Sequence, residues 1–265
     1  MSKIEEKFKE LKGRKEKALI IYLTAGFPSF SSSIKIMEEI EKYGVDLLEI
    51  GIPFSDPIAD GPIIQFSSQK ALEKGINVEK VFKLCNILKT KIKIPYLLMS
   101  YYNPIYKYGL KNFAKNCFNF GVSGVIVPDL PIEESFQLYK ILRSYNIDLI
   151  FFTTPYTSEE RIKKIVSVAT GFIYFVSRAG VTGPKKNIAP ELKKSLKKLK
   201  EFTDLPIAVG FGISEKKQVY EIGKISDGII IGSYIIQKIS EGKITEMKNT
   251  LKEFKKLLTN KKEEK

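Results

Sequence analysis

A unit made of a short apolar run, a turn and an amphipathic helical pattern recurs along this 265-residue chain and constrains its fold more than any other feature. The apolar runs fall at 18–23, 47–52, 96–101, 124–127, 149–153, 172–177, 207–212 and 228–233, with helical patterns at 31–43, 78–89, 112–120, 133–145, 158–169, 189–202 and 215–223 between them. Runs that are apolar throughout, rather than alternating, mark parallel strands covered by helices on both sides. Eight such units in roughly 250 residues predict an α/β fold of the (β/α)8 TIM-barrel type. An open doubly wound sheet would favour a GxGxxG turn after its first strand, and Leu23-Thr24-Ala25-Gly26-Phe27-Pro28 has no likeness to one. The expectation is a single domain over 1–265, with an extra N-terminal helix at 1–16 and a frayed charged tail at 258–265. With 43% hydrophobic residues the chain can bury a large core.

The formal charge of +14 raises the question of nucleic acid. The lysines, however, are spread over the polar faces of helical patterns at 89–93, 193–200 and 252–262. A solvated basic surface that attracts an anionic small molecule at long range is the preferred reading, and steeply salt-dependent duplex binding would revive the other. Cys85 and Cys117 sit in separate helical patterns with no metal-ligand spacing, which predicts buried free thiols in a reducing compartment. No apolar leader opens the chain and no run reaches membrane length, so a soluble cytoplasmic protein is expected. The Lys-, Ile- and Asn-rich composition suggests an AT-rich gene and leaves a plastid stroma open.

In such barrels the active site lies at the C-terminal ends of the strands. Those ends carry Thr24, Glu49, Tyr101, Pro128-Asp129, Thr153-Thr154, Ser177-Arg178, Gly210-Phe211-Gly212 and Gly232-Ser233. The chain contains no histidine, so the usual proton carrier is missing and carboxylates become the candidates for acid–base work. Glu49 ends a strand, and Asp60 sits in the Gly- and Pro-flanked loop that follows. Strand alternation puts Leu47, Glu49 and Gly51 on one face and Leu48, Ile50 and Ile52 on the other; if the second set meets the helices, Glu49 points into the barrel mouth. The bland alternatives are a structural acid paired with Lys or Arg for Glu49, and a loop or cap residue for Asp60. Only Arg178 offers a cation at a strand end, and burial without compensation pushes a carboxyl pKa toward neutrality.

Two further signals lie at the later strand ends. Gly210-Phe211-Gly212-Ile213-Ser214 and Gly232-Ser233 are turns where backbone N–H groups can gather beside a helix start, the physical recipe for holding a phosphate, although tight turns alone would also use glycine. The loop from Arg178 to Asn187 exceeds the usual strand-to-helix length and reads as a lid over the mouth or as a disordered tip. Metal-dependent aldolases on this fold need imidazole ligands, Schiff-base aldolases need a strand-end lysine, and acyl transfer needs GxSxG or a Cys–His pair. None of these is present, which leaves cofactor-free carboxylate chemistry on a phosphorylated substrate, with no metal site.

The stretch Leu48-Glu49-Ile50-Gly51-Ile52-Pro53-Phe54-Ser55-Asp56-Pro57-Ile58-Ala59-Asp60-Gly61-Pro62-Ile63-Ile64-Gln65 closely resembles the signature of the tryptophan synthase alpha subunit family. Ser177-Arg178-Ala179-Gly180-Val181-Thr182-Gly183 and Gly210-Phe211-Gly212-Ile213 resemble that family's lid and phosphate loop, and the similarity runs in order from about Lys17 to Lys238. The resemblance implies retro-aldol cleavage of indole-3-glycerol phosphate to indole and glyceraldehyde 3-phosphate. It gives Glu49 the role of proton donor and acceptor, and Asp60 that of the anion beside the indole N–H. It places the phosphate on Gly183, Phe211, Gly212, Gly232 and Ser233, and the indole in a slot of Tyr22, Met99, Tyr101, Ile126, Phe152 and Tyr174, each of which could equally be core packing. Arg178 would anchor the lid and Thr182 would close on Asp60.

The resemblance also implies a partner, a pyridoxal-phosphate beta subunit in an α2β2 assembly that receives indole through a tunnel. Asp56, Pro57 and the Asn103-Pro104 turn would face it, and this chain would carry no cofactor of its own. Two alternatives stand beside this reading: another phosphosugar barrel enzyme, such as an isomerase or indoleglycerol-phosphate synthase, and a non-catalytic phosphate-binding barrel that regulates a partner.

Overall fold

Each apolar run becomes a strand: β1 (Ala18–Thr24), β2 (Leu47–Gly51), β3 (Tyr96–Met99), β4 (Gly124–Ile126), β5 (Asp148–Thr153), β6 (Ile173–Val176), β7 (Ile207–Gly210) and β8 (Gly228–Ile231). The computed structural model of the chain describes residues 1–177, 190–210 and 212–259. Every strand pairs in parallel with its sequence neighbours, and β8 returns to β1 through Ala18 opposite Gly228, which closes the barrel.

Helices surround it. They are α1 (Lys3–Gly13), α2 (Phe30–Glu39), α3 (Pro62–Glu73), α4 (Val78–Leu88), α5 (Tyr102–Tyr108), α6 (Leu110–Asn119), α7 (Phe136–Ser144), α8 (Glu159–Val168), α9 (Pro190–Lys200), α10 (Lys216–Gly223), α11 (Ser233–Ser240) and α12 (Ile244–Leu258). Starts are set locally: the side chains of Ser29, Asn77 and Ser158 each accept a first-turn N–H, relieving the orphan donors of α2, α4 and α8.

Two helices depart from the sequence patterns. Asn103 and Pro104 lie in the first turn of α5 and not in a turn, because a proline there removes only an N–H that the helix would leave unpaired, and Asp129 Oδ1 accepts the Tyr102 N–H at 2.9 Å. The second, α3, begins at Pro62 and buries Ile64, Ser67, Ser68 and Ala71, a stripe half made of serine that hides its apolar period.

The alternation within β2 separates two cores. Leu47 joins Ala18, Ile20, Leu97, Ile150 and Phe172 inside the barrel, whereas Leu48, Ile50 and Ile52 pack with the helices outside. Ile4, Phe8 and Leu11 of α1 plug the N-terminal end of the barrel, with the Phe8 ring 5.6 Å from that of Phe172. Burying each of these side chains contributes about 1.5–3 kcal/mol. At the same end α12 is held by Lys255, whose Nζ lies 2.9 Å from Asp46 and 3.0 Å from Glu16. Leu258 is buried and Thr259 bridges to Glu16, so ordered chain extends past the point where the tail was expected; 260–265 lie outside the described residues. Cys85 and Cys117 are buried free thiols, both pushed up in pKa by burial.

Candidate active site

Because β2 turns odd-numbered residues inward, Glu49 enters the mouth directly above Leu47, between Tyr22 of β1 and Leu97 of β3 in the register. It is 1% exposed, and neither carboxylate oxygen has a hydrogen-bond partner among the described residues. A charge there would be stripped of water with nothing to replace it, so burial raises the pKa to about 8, and the nearby Asp60 charge pushes in the same direction.

The backbone that carries Asp60 is fixed locally. Its N–H bonds to the Pro57 carbonyl at 3.0 Å, and its carbonyl accepts from Gln65 Nε2 at 2.9 Å, just ahead of the first turn of α3. The Tyr101 hydroxyl donates to Asp60 Oδ2 at 3.1 Å and itself accepts the Ala59 N–H at 2.9 Å. Burial raises Asp60 to about 6, with the Tyr101 bond holding it below where burial alone would take it. Between these two values Glu49 retains its proton while Asp60 is ionised. The site therefore holds one acid and one anion, two different tools from the same functional group.

Around the pair, Ile126 and Tyr174 belong to the inner core, with Met99 and Phe152 packed against it, and the Phe152 and Tyr174 rings are 4.7 Å apart. Tyr22 and Tyr101 complete the aromatic wall and are buried. All six slot candidates thus converge on the mouth, although Tyr101 is also a polar partner of Asp60. That bond joins residues 41 apart in sequence, and no local pattern announces it.

Gly212, Gly232 and Ser233 lie at the ends of β7 and β8. Among the described residues no side chain caps the first turn of α11, which leaves its N–H groups available to an anion. The start of α10 differs, since Gln218 Oε1 accepts the N–H groups of Ser214 and Glu215 at 2.9 and 3.0 Å. Gly183 and Phe211, with Arg178 and Thr182 of the expected lid, lie outside the described residues. Asp56 is exposed and Pro57 half-buried in the β2–α3 loop, and Asn103 and Pro104 sit on the same end of the barrel. A cavity of about 270 Å³ beside β4 and β5, against α8, contains none of the paired acids or phosphate-turn glycines and shares only Phe152 with the slot.

The sequence profile of the tryptophan synthase alpha chain family matches residues 8–265. The chain belongs to this family. The tryptophan synthase alpha chain of Alkaliphilus metalliredigens is 45% identical over 242 residues, 91% of this chain and 91% of its own length. That of Aquifex aeolicus is 42% identical over 257 residues, 96% of this chain and 98% of its own. The crystal structure of tryptophan synthase subunit alpha from Legionella pneumophila superposes with a TM-score of 0.90 at 32% identity, over 98% of this chain and 99% of that one.

The activity is accordingly a lyase reaction of tryptophan biosynthesis, the cleavage of indole-3-glycerol phosphate to indole and glyceraldehyde 3-phosphate. Among the described residues no helix is long and apolar enough to cross a membrane.

Proposed function

We propose that Glu49 and Asp60 divide the chemistry of this cleavage. The observation that carries the reading is a pair of carboxyls in unlike settings, Glu49 buried in the mouth with neither oxygen hydrogen-bonded among the described residues and Asp60 accepting from Tyr101, which fits their values of about 8 and about 6. The bond between indole C3 and the side chain must break with its electrons flowing into the ring. Glu49 gives its proton to C3, which creates an indolenine cation, an internal electron sink that requires neither a lysine nor a metal. Asp60, already anionic, accepts from the ring N–H and stabilises the cation. Glu49, now a carboxylate, takes the proton of the adjacent side-chain hydroxyl; the carbon–carbon bond breaks, indole regains its aromaticity, and the aldehyde forms. Glu49 ends the cycle protonated, as it began.

Gly183, Phe211, Gly212, Gly232 and Ser233 hold the substrate phosphate in this reading, supported by the uncapped first turn of α11. Tyr22, Met99, Tyr101, Ile126, Phe152 and Tyr174 hold the indole, while Arg178 and Thr182 serve a lid. The chain acts as one domain in the cytoplasm.

A beta subunit carrying pyridoxal phosphate, in an α2β2 assembly, takes the indole. Ile58, Tyr106, Phe136 and Tyr156, exposed apolar side chains on the loops and helices that follow β2, β3, β4 and β5, give it a surface beside Asp56, Pro57, Asn103 and Pro104. Replacing Glu49 by Gln removes the transferable proton at nearly constant shape. Indole release is expected to fall by about 10³-fold or more, with stimulation of a beta subunit retained. Unchanged turnover would overturn the role given to Glu49.

A further inference from the structure

Tyr22 shares the parity of Ala18 and Ile20, which face the barrel interior, and stands opposite Glu49 in the register of β1 and β2. Its ring lies between two glycines. At the β8 edge a Cβ on Gly232 would be 3.3 Å from Tyr22 Cβ and 3.5 Å from Cγ and Cδ1. At the β2 edge a Cβ on Gly51 would be 2.0 Å from the phenol oxygen, 2.5 Å from Cζ and 2.7 Å from Cε2, closer than real atoms approach. Gly51 is not among the glycines with positive φ, so the position demands glycine for space and not for backbone conformation.

A side chain at 51 could enter only if the ring moved, and few directions are open to it. Thr24 Oγ1 stands 3.4 Å from the phenol oxygen and 2.6 Å from Ser67 Oγ of α3, so the space behind the phenol is filled. The ends of β8 and β2 bound the two edges of the ring. What remains is the mouth itself, where Glu49 enters between Tyr22 and Leu97 in the register. A phenol pushed there takes volume that a bicyclic aromatic substrate needs.

We propose that Gly51 sets the width of the indole slot. By lacking a side chain it lets the Tyr22 ring lie back against the wall, and the two together fix how large an aromatic ring system can sit beside Glu49. Gly51 is a positioning residue that acts through Tyr22, and the inference rests on the reading of Tyr22 as a wall of the slot. Selection of this kind is steric: one methylene more or less in an apolar pocket changes kcat/KM by about 10- to 200-fold.

The test measures KM and kcat, per folded molecule, for indole-3-glycerol phosphate and for derivatives carrying one methyl group on the benzene ring. Gly51→Ala is expected to raise KM for the unsubstituted substrate by about tenfold or more and to widen the gap between it and the methyl derivatives. Tyr22→Leu lacks the three atoms that a Cβ at 51 would strike, so it should narrow that gap. Adding Gly51→Ala to Tyr22→Leu should then cost less than about twofold, because the two changes act on one contact. An unchanged KM and ranking in Gly51→Ala, or its full loss repeated on top of Tyr22→Leu, overturns the role given to Gly51. If Tyr22→Leu moves the ranking and Gly51→Ala does not, only this inference fails. If Tyr22→Leu leaves KM and ranking as they were, the reading of Tyr22 as a slot wall fails with it.

Discussion

Asp46 is buried at the floor of the barrel and Glu49 is buried at its mouth, yet among the described residues only the floor acid meets a cation. Asp46 accepts the Leu19 N–H at 2.8 Å and lies 2.9 Å from Lys255 Nζ, and Asp148, at the start of β5, accepts from the Ser2 hydroxyl. Burial raises the pKa of both floor acids, with Lys255 pulling Asp46 back and Ser2 pulling Asp148 back. At the mouth Glu49 receives no such compensation among the described residues. The comparison separates two uses of a buried carboxylate three residues apart in sequence. Satisfied, it fastens elements together; left unsatisfied, it stores a proton near neutral pH.

The contrast can be broken first at the floor. Lys255→Met leaves Asp46 buried without its cation, and stability should drop by about 3 kcal/mol, read by denaturant midpoint, with kcat per folded molecule unchanged. A large loss of kcat instead would mean that the two ends are not independent.

At the mouth the sign reverses. The Glu49 pKa rises from its ordinary value of 4.5 to about 8 on folding. Between those values the native state holds a proton that the unfolded chain has lost, so stability falls as pH rises through the window. Glu49→Leu should abolish that slope and be more stable than the parent by roughly 2 kcal/mol at pH 8, with a smaller gain at pH 5. An unchanged slope in the Leu variant would show that Glu49 is solvated after all.

The smallest effect sharpens the mouth itself. Tyr101→Phe removes the fixed donor to Asp60, so the Asp60 pKa should rise above about 6. The kcat/KM at pH 6 should then fall by up to about tenfold, with little change at pH 8. An equal loss at both pH values would assign Tyr101 to indole packing alone.

Much of this was legible in the sequence, and for a physical reason. The eight strands announce themselves because a strand covered on both sides must be apolar throughout, and Glu49 points inward by the same parity that buries Leu47. Helix α3 stays hidden because Ser67 and Ser68 occupy its buried face, and their hydroxyls matter only once Thr24 is beside them in space. Helix α5 stays hidden because Asn103-Pro104 reads as a turn until Asp129, from the next strand end, accepts the Tyr102 N–H. What depends on neighbours in the chain could be read; what depends on neighbours across the mouth could not.

The closure of β8 on β1 bears on how the barrel is made. During synthesis β1 leaves the ribosome first, and the strand that covers its outer edge, like the α12 lysine that fastens the floor, arrives among the last. Until then a run of seven buried residues presents unpaired N–H and C=O groups. That interval, set by topology and not by the strength of any contact, is when one copy of the chain can pair with another before it has paired with itself.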